Sequence, residues 1–574
     1  MARLRAELGV SGALAQVLVR RGLAEPARAR AFLAADEEHP PSAFAGIEEA
    51  VETIIGHVRA GGRITVHGDY DVDGICSTAI LVRALGALGG DVDHYLPDRI
   101  GDGYGLGEET VRRLAARGTR LLVTADCAIT AVAEVALARE LDVDVVVTDH
   151  HTPRADGVLP DAPIVHPALC GYPCTQLCAT AVAYKLAQAL FAAAGRDARE
   201  LERDLDLVAL ATVADVVELR GENRTLVRRG LRALAATGKP GLRALMRVAR
   251  VDPRRVDERA IGFALAPRLN AAGRLYRADA GLELVLTEDT MRAAQVAEEL
   301  DRANHERREV ELRIRYEAEA QIAKLGERGA YVLAGEGWHA GVVGIVAARL
   351  AERHNRPVVL IALEGERGRG SARSIPAFDL LAGLDACADH LLRHGGHRAA
   401  AGLEVERGSV AALAQALHEH AASSLAQEDL VAVERVDAVV GGAELSMALA
   451  EELRSLAPFG RGNPQVSLML ADAMFADVRP MGEGKHARFT VSSRGARARA
   501  VAFGGGGALP VGEGEAVEAT FKLEVNEWNG VSEPRLVLRH ARAAAPQIEV
   551  ARIEHEPEPQ PPEEDGELVL FAMT

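Results

Sequence analysis

At 574 residues the chain exceeds what one hydrophobic core organises, so three or four domains are expected. Its 48% hydrophobic and 26% charged residues are ordinary for a globular protein, and no apolar run is long enough to span a membrane. The net charge of −17 argues against a uniformly basic nucleic-acid binder, yet eight acids against one Arg fall between Pro546 and Thr574, so a basic groove elsewhere remains compatible with it.

Residues 1–45 read as an N-terminal extension of short helices. Their start lacks the charged-then-apolar pattern of a signal peptide, and a cytoplasmic protein is expected. From Arg63 a βα rhythm begins. Ile64-Thr65-Val66 reads as a strand, and Ile75 to Leu88 has apolar residues at helical spacing. Further strands are predicted at Val92 to Leu96, Leu121 to Ala125, Val143 to Thr148 and Ile164-Val165. Strands alternating with helices predict a parallel, doubly wound α/β sheet, whose ligands bind at the carboxyl ends of the strands. Cys170, Cys174 and Cys178 are spaced by four, but Pro173 interrupts any helix and no fourth ligand follows, so buried thiols are expected. A mainly helical stretch completes a domain over 46–280. The connector segment, 281–325, contains one long helix from Glu288 to Leu325, free of Gly and Pro and ~50 Å or more in length. A second α/β region spans 326–428, with strands at Tyr331-Val332-Leu333 and Val358 to Ile361. From 429 to 545 short β-rich segments such as Arg488 to Val491 and Val517 to Val525 predict a small β-barrel. The tail, 546–574, is acidic and Pro-rich, so disorder is expected before its apolar end Leu568-Val569-Leu570-Phe571.

Three clusters stand where β-branched runs stop: His67-Gly-Asp69-Tyr-Asp71-Val-Asp73-Gly74, Thr124-Ala-Asp126-Cys127 and Thr148-Asp149-His150-His151. Asp215 follows another apolar run. Asp71 and Asp73 point in a similar direction if their segment stays extended. So many carboxylates and imidazoles at strand ends call for divalent cations, and mixed oxygen and nitrogen ligands suit Mn2+, with Mg2+ as the alternative. Two such ions can activate a water and stabilise the leaving oxygen of a phosphoester. An EF-hand is excluded, because Val82 stands where its twelfth-position Glu belongs.

GDYDVDG, TADC, VVVTDHH and ATVADVV resemble the four motifs of the DHH phosphoesterase superfamily, with Asp149-His150-His151 as the DHH itself. Longer stretches, among them YLPDRIGDGYGL, IGFALAPRLNAAGRL, GSARSIPAFDL and HGGHRAAAGL, are similar to the RecJ single-strand-specific exonucleases over residues 45–540. The resemblance implies one metal on His67, Asp71 and Asp126 and a second on Asp73, Asp126, His150 and Asp215. It implies that His151 faces the scissile phosphate and that Asp149 and Asp69 orient the ligands. His151, Asp149 and Asp126 are thus the catalytic candidates. Three positions depart from the family pattern: Ala128 where Gly is usual, Ala179-Thr180 in place of a Gly-rich pair, and His166 where Asn is common.

The second α/β region resembles a DHH-associated domain. Ser371 and Arg373, with Gly396 and His397, combine backbone NH groups, a guanidinium and an imidazole suited to phosphate capture. Arg99, Tyr104, Asn270 and Arg274 are candidates for the 5′-phosphate end and the strand path. The barrel resembles an oligonucleotide-binding (OB) fold, in which Lys485, Arg488 and Trp528 offer charge and a stacking ring. The implied activity is 5′→3′ hydrolysis of single-stranded DNA to 5′ mononucleotides, by a two-metal mechanism, in DNA repair and recombination. The implied partners are single-stranded DNA and, through the tail, a single-strand-binding protein or a RecQ-type helicase; a monomer is expected. A DHH phosphodiesterase of short oligonucleotides or cyclic dinucleotides is the alternative, but it would not need the barrel. An inactive DHH scaffold of a replication complex is a second alternative, and it would have eroded ligand positions.

Overall fold

Five short β-branched runs build the sheet that carries the candidate ligands: β1 (Ile64–His67), β2 (Val92–Tyr95), β3 (Leu121–Thr124), β4 (Asp144–Thr148) and β5 (Ile164–Val165). The computed structural model describes residues 1–97, 105–275, 279–528 and 530–544, so the acidic tail lies outside the described residues. All five strands are parallel, in the order β2-β1-β3-β4-β5. Every residue of β1 and β3 is buried, as helices on both faces of a parallel sheet require. The strand order reverses between β1 and β3, and the crevice at such a reversal is where doubly wound sheets hold ligands.

The loop after β1 turns at once into the helix Val72–Ala87. Asp71 caps it, its carboxylate accepting from the amides of Asp73 and Gly74 at 2.9 and 3.0 Å. The segment is therefore not extended: Asp71 lies at the cap and Asp73 in the first turn. Two glycines permit the turn. A Cβ on Gly68 would sit 1.9 Å from Thr78 Oγ1, and one on Gly74 2.5 Å from the backbone of Asp69.

Asp289 caps the long helix Thr290–Leu325 through the amides of Met291 and Arg292. At ~1.5 Å per residue it is ~54 Å long. It begins at Thr290, close to the Glu288 read from the sequence, and Ala280–Leu286, inside the 281–325 connector segment, is a separate helix buried in the core of the first sheet. Beyond it lies a second sheet: β6 (Tyr331–Glu336), β7 (Val358–Glu364), β8 (Arg367–Arg373), β9 (Arg393–Gly396) and β10 (Ala400–Glu406), ordered β6-β7-β8-β10-β9. Only β6 and β7 are parallel; the other pairs are antiparallel.

Glu38–Glu218 and Glu222–Ala432, holding both sheets, form one compact unit, and Met1–Glu37, Leu219–Gly221 and the described chain from Val433 form another. In the latter, β11 (Ala438–Val439), β12 (Leu468–Met481), β13 (His486–Ser493), β14 (Ala496–Ala502), β15 (Ala516–Trp528) and β16 (Val531–Ala543) are ordered β11-β12-β13-β14-β16-β15. A β12–β15 pairing closes five of them into a barrel. Register shifts at Leu470/Ala473 and Ala476/Arg479 let the fourteen-residue β12 bend between two neighbours. The N-terminal helices belong to this unit. Leu14, Val17 and Leu18 share a core with Leu449, Leu453 and Leu468, Gln16 Nε2 donates to Val439 O across 423 positions of sequence, and Arg21 spans both carboxylate oxygens of Asp437. Leu14→Ala is expected to destabilise the barrel by about 2–5 kcal/mol. Chemical denaturation followed through a barrel-specific probe checks this, and an unchanged midpoint would separate the helices from the barrel core.

Candidate metal centre

His67 ends β1, Asp126 lies two residues beyond β3, and His150 two beyond β4, so parallel pairing alone sets the three side by side at the strand ends. The turn after β3 is tightly held. Asp126 N donates to Thr148 O at 3.1 Å, the Thr148 hydroxyl to Thr124 O at 2.6 Å, and the Thr124 hydroxyl to Cys127 O at 3.0 Å. Asp126 (φ 70°) and Ala128 (φ 84°) are both left-handed. Ala128 thus adopts a backbone conformation that favours glycine, the residue usual there in the resembling family.

The carboxylates converge on His150. Its Nε2 lies 3.2 Å from Asp126 Oδ1, 3.6 Å from Asp73 Oδ2 and 3.8 Å from Asp215 Oδ2. Ligand atoms of Asp73, His150 and Asp215 fall within 4.8 Å of one another, as do those of Asp69, Asp71 and Asp126, and those of Asp126, His150 and His151. Among the described residues, His67 belongs to none of these groups. Asp73 is pinned by the amides of Ala179 and Thr180, each at 2.8 Å, and by the Thr180 hydroxyl at 2.6 Å. The departure at Ala179-Thr180 therefore adds a donor to a candidate ligand. Nothing in the spacing of the motifs signals that bond, which joins positions 107 apart.

Burial and then the charges of Asp73, Asp71, Asp69 and Asp215 push the Asp126 carboxyl far above its ordinary range. Burial, then Asp73, raises Asp71. His150 is brought down to about 4, first by burial and then by His151. Asp126 Oδ1 and His150 Nε2 are buried with no hydrogen-bond partner although they face each other. An oxygen and an imidazole nitrogen left in this state, among surplus negative charge, fit a divalent cation.

His151 differs from its neighbour. Its Nδ1 donates to Asp149 Oδ1 at 2.8 Å. Asp149 also accepts from the amides of His150, His151 and Ile129. Burial alone would lower His151, but the Asp149 charge and hydrogen bond outweigh it and raise it to about 9. Asp149 is held well below the carboxylate range because His151 outweighs its burial. His166 accepts from the amides of Ala168 and Leu169 at Nδ1, so its Nε2 carries the proton given to His151 O at 2.9 Å. Burial lowers its pKa, consistent with a neutral ring.

The other candidates are dispersed. Arg99 and Tyr104 lie outside the described residues. Arg274 sits in the helix Ala266–Leu275 and Trp528 at the end of β15, with side chains outside the described ones. Asn270 Oδ1 accepts from Val72 N at 3.0 Å and so braces the loop carrying Asp71 and Asp73. On β8, Ser371 is half-buried and Arg373 buried; a Cβ on Gly344 would meet both at 3.3 Å, so glycine lets the helix Ala340–His354 lie against them. Gly396 (φ 147°) could carry no Cβ without meeting Ala400 O at 2.5 Å, and His397 is exposed with its amide bonded to Ala400 O. In the barrel, Lys485 pairs with Glu483, Arg494 with Asp472, Arg497 with Asp477 and Arg499 with Glu533. Exposed Arg488 instead stands opposite exposed Arg479 on β12. Cys170 donates to Ile164 O and Cys178 faces Thr212 Oγ1, separate environments that suit incidental thiols.

Residues 63–212 match the DHH family, N-terminal domain, residues 326–423 the DHHA1 domain, and residues 436–540 the RecJ OB domain. The parallel sheet with Asp149-His150-His151 beside its switch point is thus that of a DHH-family protein. The single-stranded-DNA-specific exonuclease RecJ of Bacillus subtilis is 36% identical over 558 residues, covering 95% of this chain and 70% of its own. The crystal structure of RecJ from Thermus thermophilus in complex with Mn2+ aligns with TM-score 0.81 and 33% identity, over 95% of this chain and 78% of that one. Its Mg2+ counterpart gives TM-score 0.74 and 31% identity, over 95% and 76%. The chain belongs to the RecJ family of single-stranded-DNA-specific exonucleases.

Two expectations follow for the metal-free protein. Val216, directly after Asp215, is left-handed (φ 58°) and 44% exposed, an outlying conformation for a β-branched residue. Val216→Gly removes strain of ~1–2 kcal/mol against a smaller entropy cost, a net gain of about 1 kcal/mol; a lower melting temperature would contradict it. The folded-state pKa of His151 is raised from 6.5 to about 9, so its pair with Asp149 stabilises fully below pH 6.5 and that contribution is lost as pH rises through about 9. Thermal melts should show the advantage of wild type over Asp149→Asn shrinking as the pH rises from 6.5 through about 9; a constant advantage would mean that the pair is not ionic.

Proposed function

We propose that this chain is a divalent-metal-dependent exonuclease that degrades single-stranded DNA 5′→3′ to 5′ mononucleotides, by a two-metal mechanism, in DNA repair and recombination. The observation that carries the reading is the buried facing of Asp126 Oδ1 and His150 Nε2 amid four further carboxylates. Family membership supports the substrate: the relatives are named for single-stranded DNA.

His67, Asp71 and Asp126, with Asp69 beside them, would hold one ion; Asp73, Asp126, His150 and Asp215 would hold the other. Mn2+ is the preferred ion, since imidazole nitrogen joins carboxylate oxygen in the donor set, and Mg2+ is the alternative. Bound there, two divalent ions supply charge that activates water and stabilises the phosphoester as it is cleaved. Asp126 faces both ligand groups. Asp149 accepts from His151 Nδ1 and so aims the ring, whose Nε2–H would donate a hydrogen bond to a phosphate oxygen. Ser371, Arg373, Gly396 and His397 would take the terminal phosphate. Exposed Arg488 and Arg479 would meet the backbone of the strand more readily than Lys485, which is already paired. Single-stranded DNA in the cytoplasm would be the substrate of a monomer. The tail would recruit a single-strand-binding protein or RecQ-type helicase.

With Mn2+ and a single strand labelled at either end, the 5′ label is expected to be released first, and Asp126→Ala to abolish release. Release from the 3′ end alone, or no cleavage of strands longer than a few nucleotides, would favour the short-oligonucleotide phosphodiesterase instead.

A further inference from the structure

Cys127 is fully buried at the turn after β3. Its Sγ lies 3.4 Å from His67 Nδ1 and 3.7 Å from the carbonyl oxygen of that same residue, sixty positions away in sequence. The sulfur is fixed there rather than loosely packed. The Thr124 hydroxyl holds the carbonyl of Cys127, the Thr148 hydroxyl holds that of Thr124, and left-handed residues flank the cysteine on either side. Ala125 N also donates to His67 O at 2.8 Å, tying the two strand ends together.

A neutral imidazole carries one N–H, on Nδ1 or on Nε2. A thiol that gave its proton to Nδ1 would leave the ring proton on Nε2, and Nε2 could then not bind a cation. The His67 carbonyl oxygen, 3.7 Å from Sγ, offers the thiol a second acceptor, and a thiol that donates there leaves its sulfur to accept from Nδ1–H at 3.4 Å. We propose that Cys127 is a positioning residue that selects the Nδ1–H tautomer of His67 and so presents Nε2 as the ligand atom. The inference rests on the metal-centre reading above and deepens it. A ligating histidine ordinarily passes its second N–H to a carboxylate, a backbone carbonyl or water. Here a thiol takes that place, in a lobe where a further carboxylate would add to charge already crowded around Asp126. A sulfur acceptor orients the ring without adding charge.

Mn2+ titration of the metal-free full chain, read from the spin resonance of the free ion, tests this with Cys127→Ala, Cys127→Ser and Cys127→Val. Wild type is expected to bind two ions. Cys127→Ala, which keeps neither donor nor acceptor, should weaken one of them about 10- to 100-fold and leave the other unchanged. Cys127→Ser, which keeps both roles, should recover most of that loss, and Cys127→Val, which fills the volume alone, should not. Nitrogen NMR of labelled histidine should show His67 protonated at Nδ1 in the wild type and as a tautomer mixture in Cys127→Ala. Wild-type Mn2+ affinity in a folded Cys127→Ala overturns the proposal. Should that variant not fold, equal affinities in the serine and valine variants overturn it. A wild type that binds no Mn2+ overturns the metal-centre reading itself, and the inference with it.

Discussion

Like charges crowd the carboxyl ends of β1, β3 and β4. Burial and four neighbouring carboxylates oppose ionisation of Asp126, and burial with Asp73 opposes that of Asp71. Repulsion of this kind is tolerable only where backbone dipoles, rigid hydrogen bonds or cations offset it. The first lobe supplies the first two. The start of the helix Val72–Ala87 gives its amides to Asp71, and the start of Ala179–Ala193 gives amides and a hydroxyl to Asp73. Asp126 Oδ1 and His150 Nε2 receive neither, and they are the pair that a cation would bridge.

The surrounding scaffold serves to hold that arrangement in place. Gly68 and Gly74 let the loop fold back on itself at distances no side chain allows. Asn270 braces the same loop from a helix nearly two hundred residues on. Left-handed backbone at Asp126, Ala128 and Val216 marks three places where local conformational cost is accepted beside the site. Asp149 separates the two adjacent histidines chemically: it charges His151 by a direct hydrogen bond, while burial keeps His150 neutral. Adjacent imidazoles thereby sit in opposite charge states.

The barrel unit solves a different problem. Its strands close on themselves, which removes exposed edges, and the N-terminal helices extend its core. Its basic residues are largely matched by acids on the same surface, so little of their charge is free for a polyanion. Arg479 and Arg488 stand in register, two cations on neighbouring strands.

The sequence by itself determined the class of fold and the residues that stand at the strand ends of its first lobe. β-Branched runs ending in Asp and His specify strands and what stands at their ends, because strand propensity and the position of a residue after a strand are local properties. The membership of residues 1–37 in the barrel unit and the register shifts that bend β12 between two neighbours were not legible, since each depends on contacts between distant segments. The extended reading of Asp71 and Asp73 failed because helix capping won over continuation of the strand. Tertiary structure alone decided which groups contact the strand-end residues: Thr180 bonds Asp73, Asn270 bonds the loop and Cys127 lies against His67. Those partners lie 60 to 198 residues apart, and hydrogen-bond geometry between them exists only once the chain has folded.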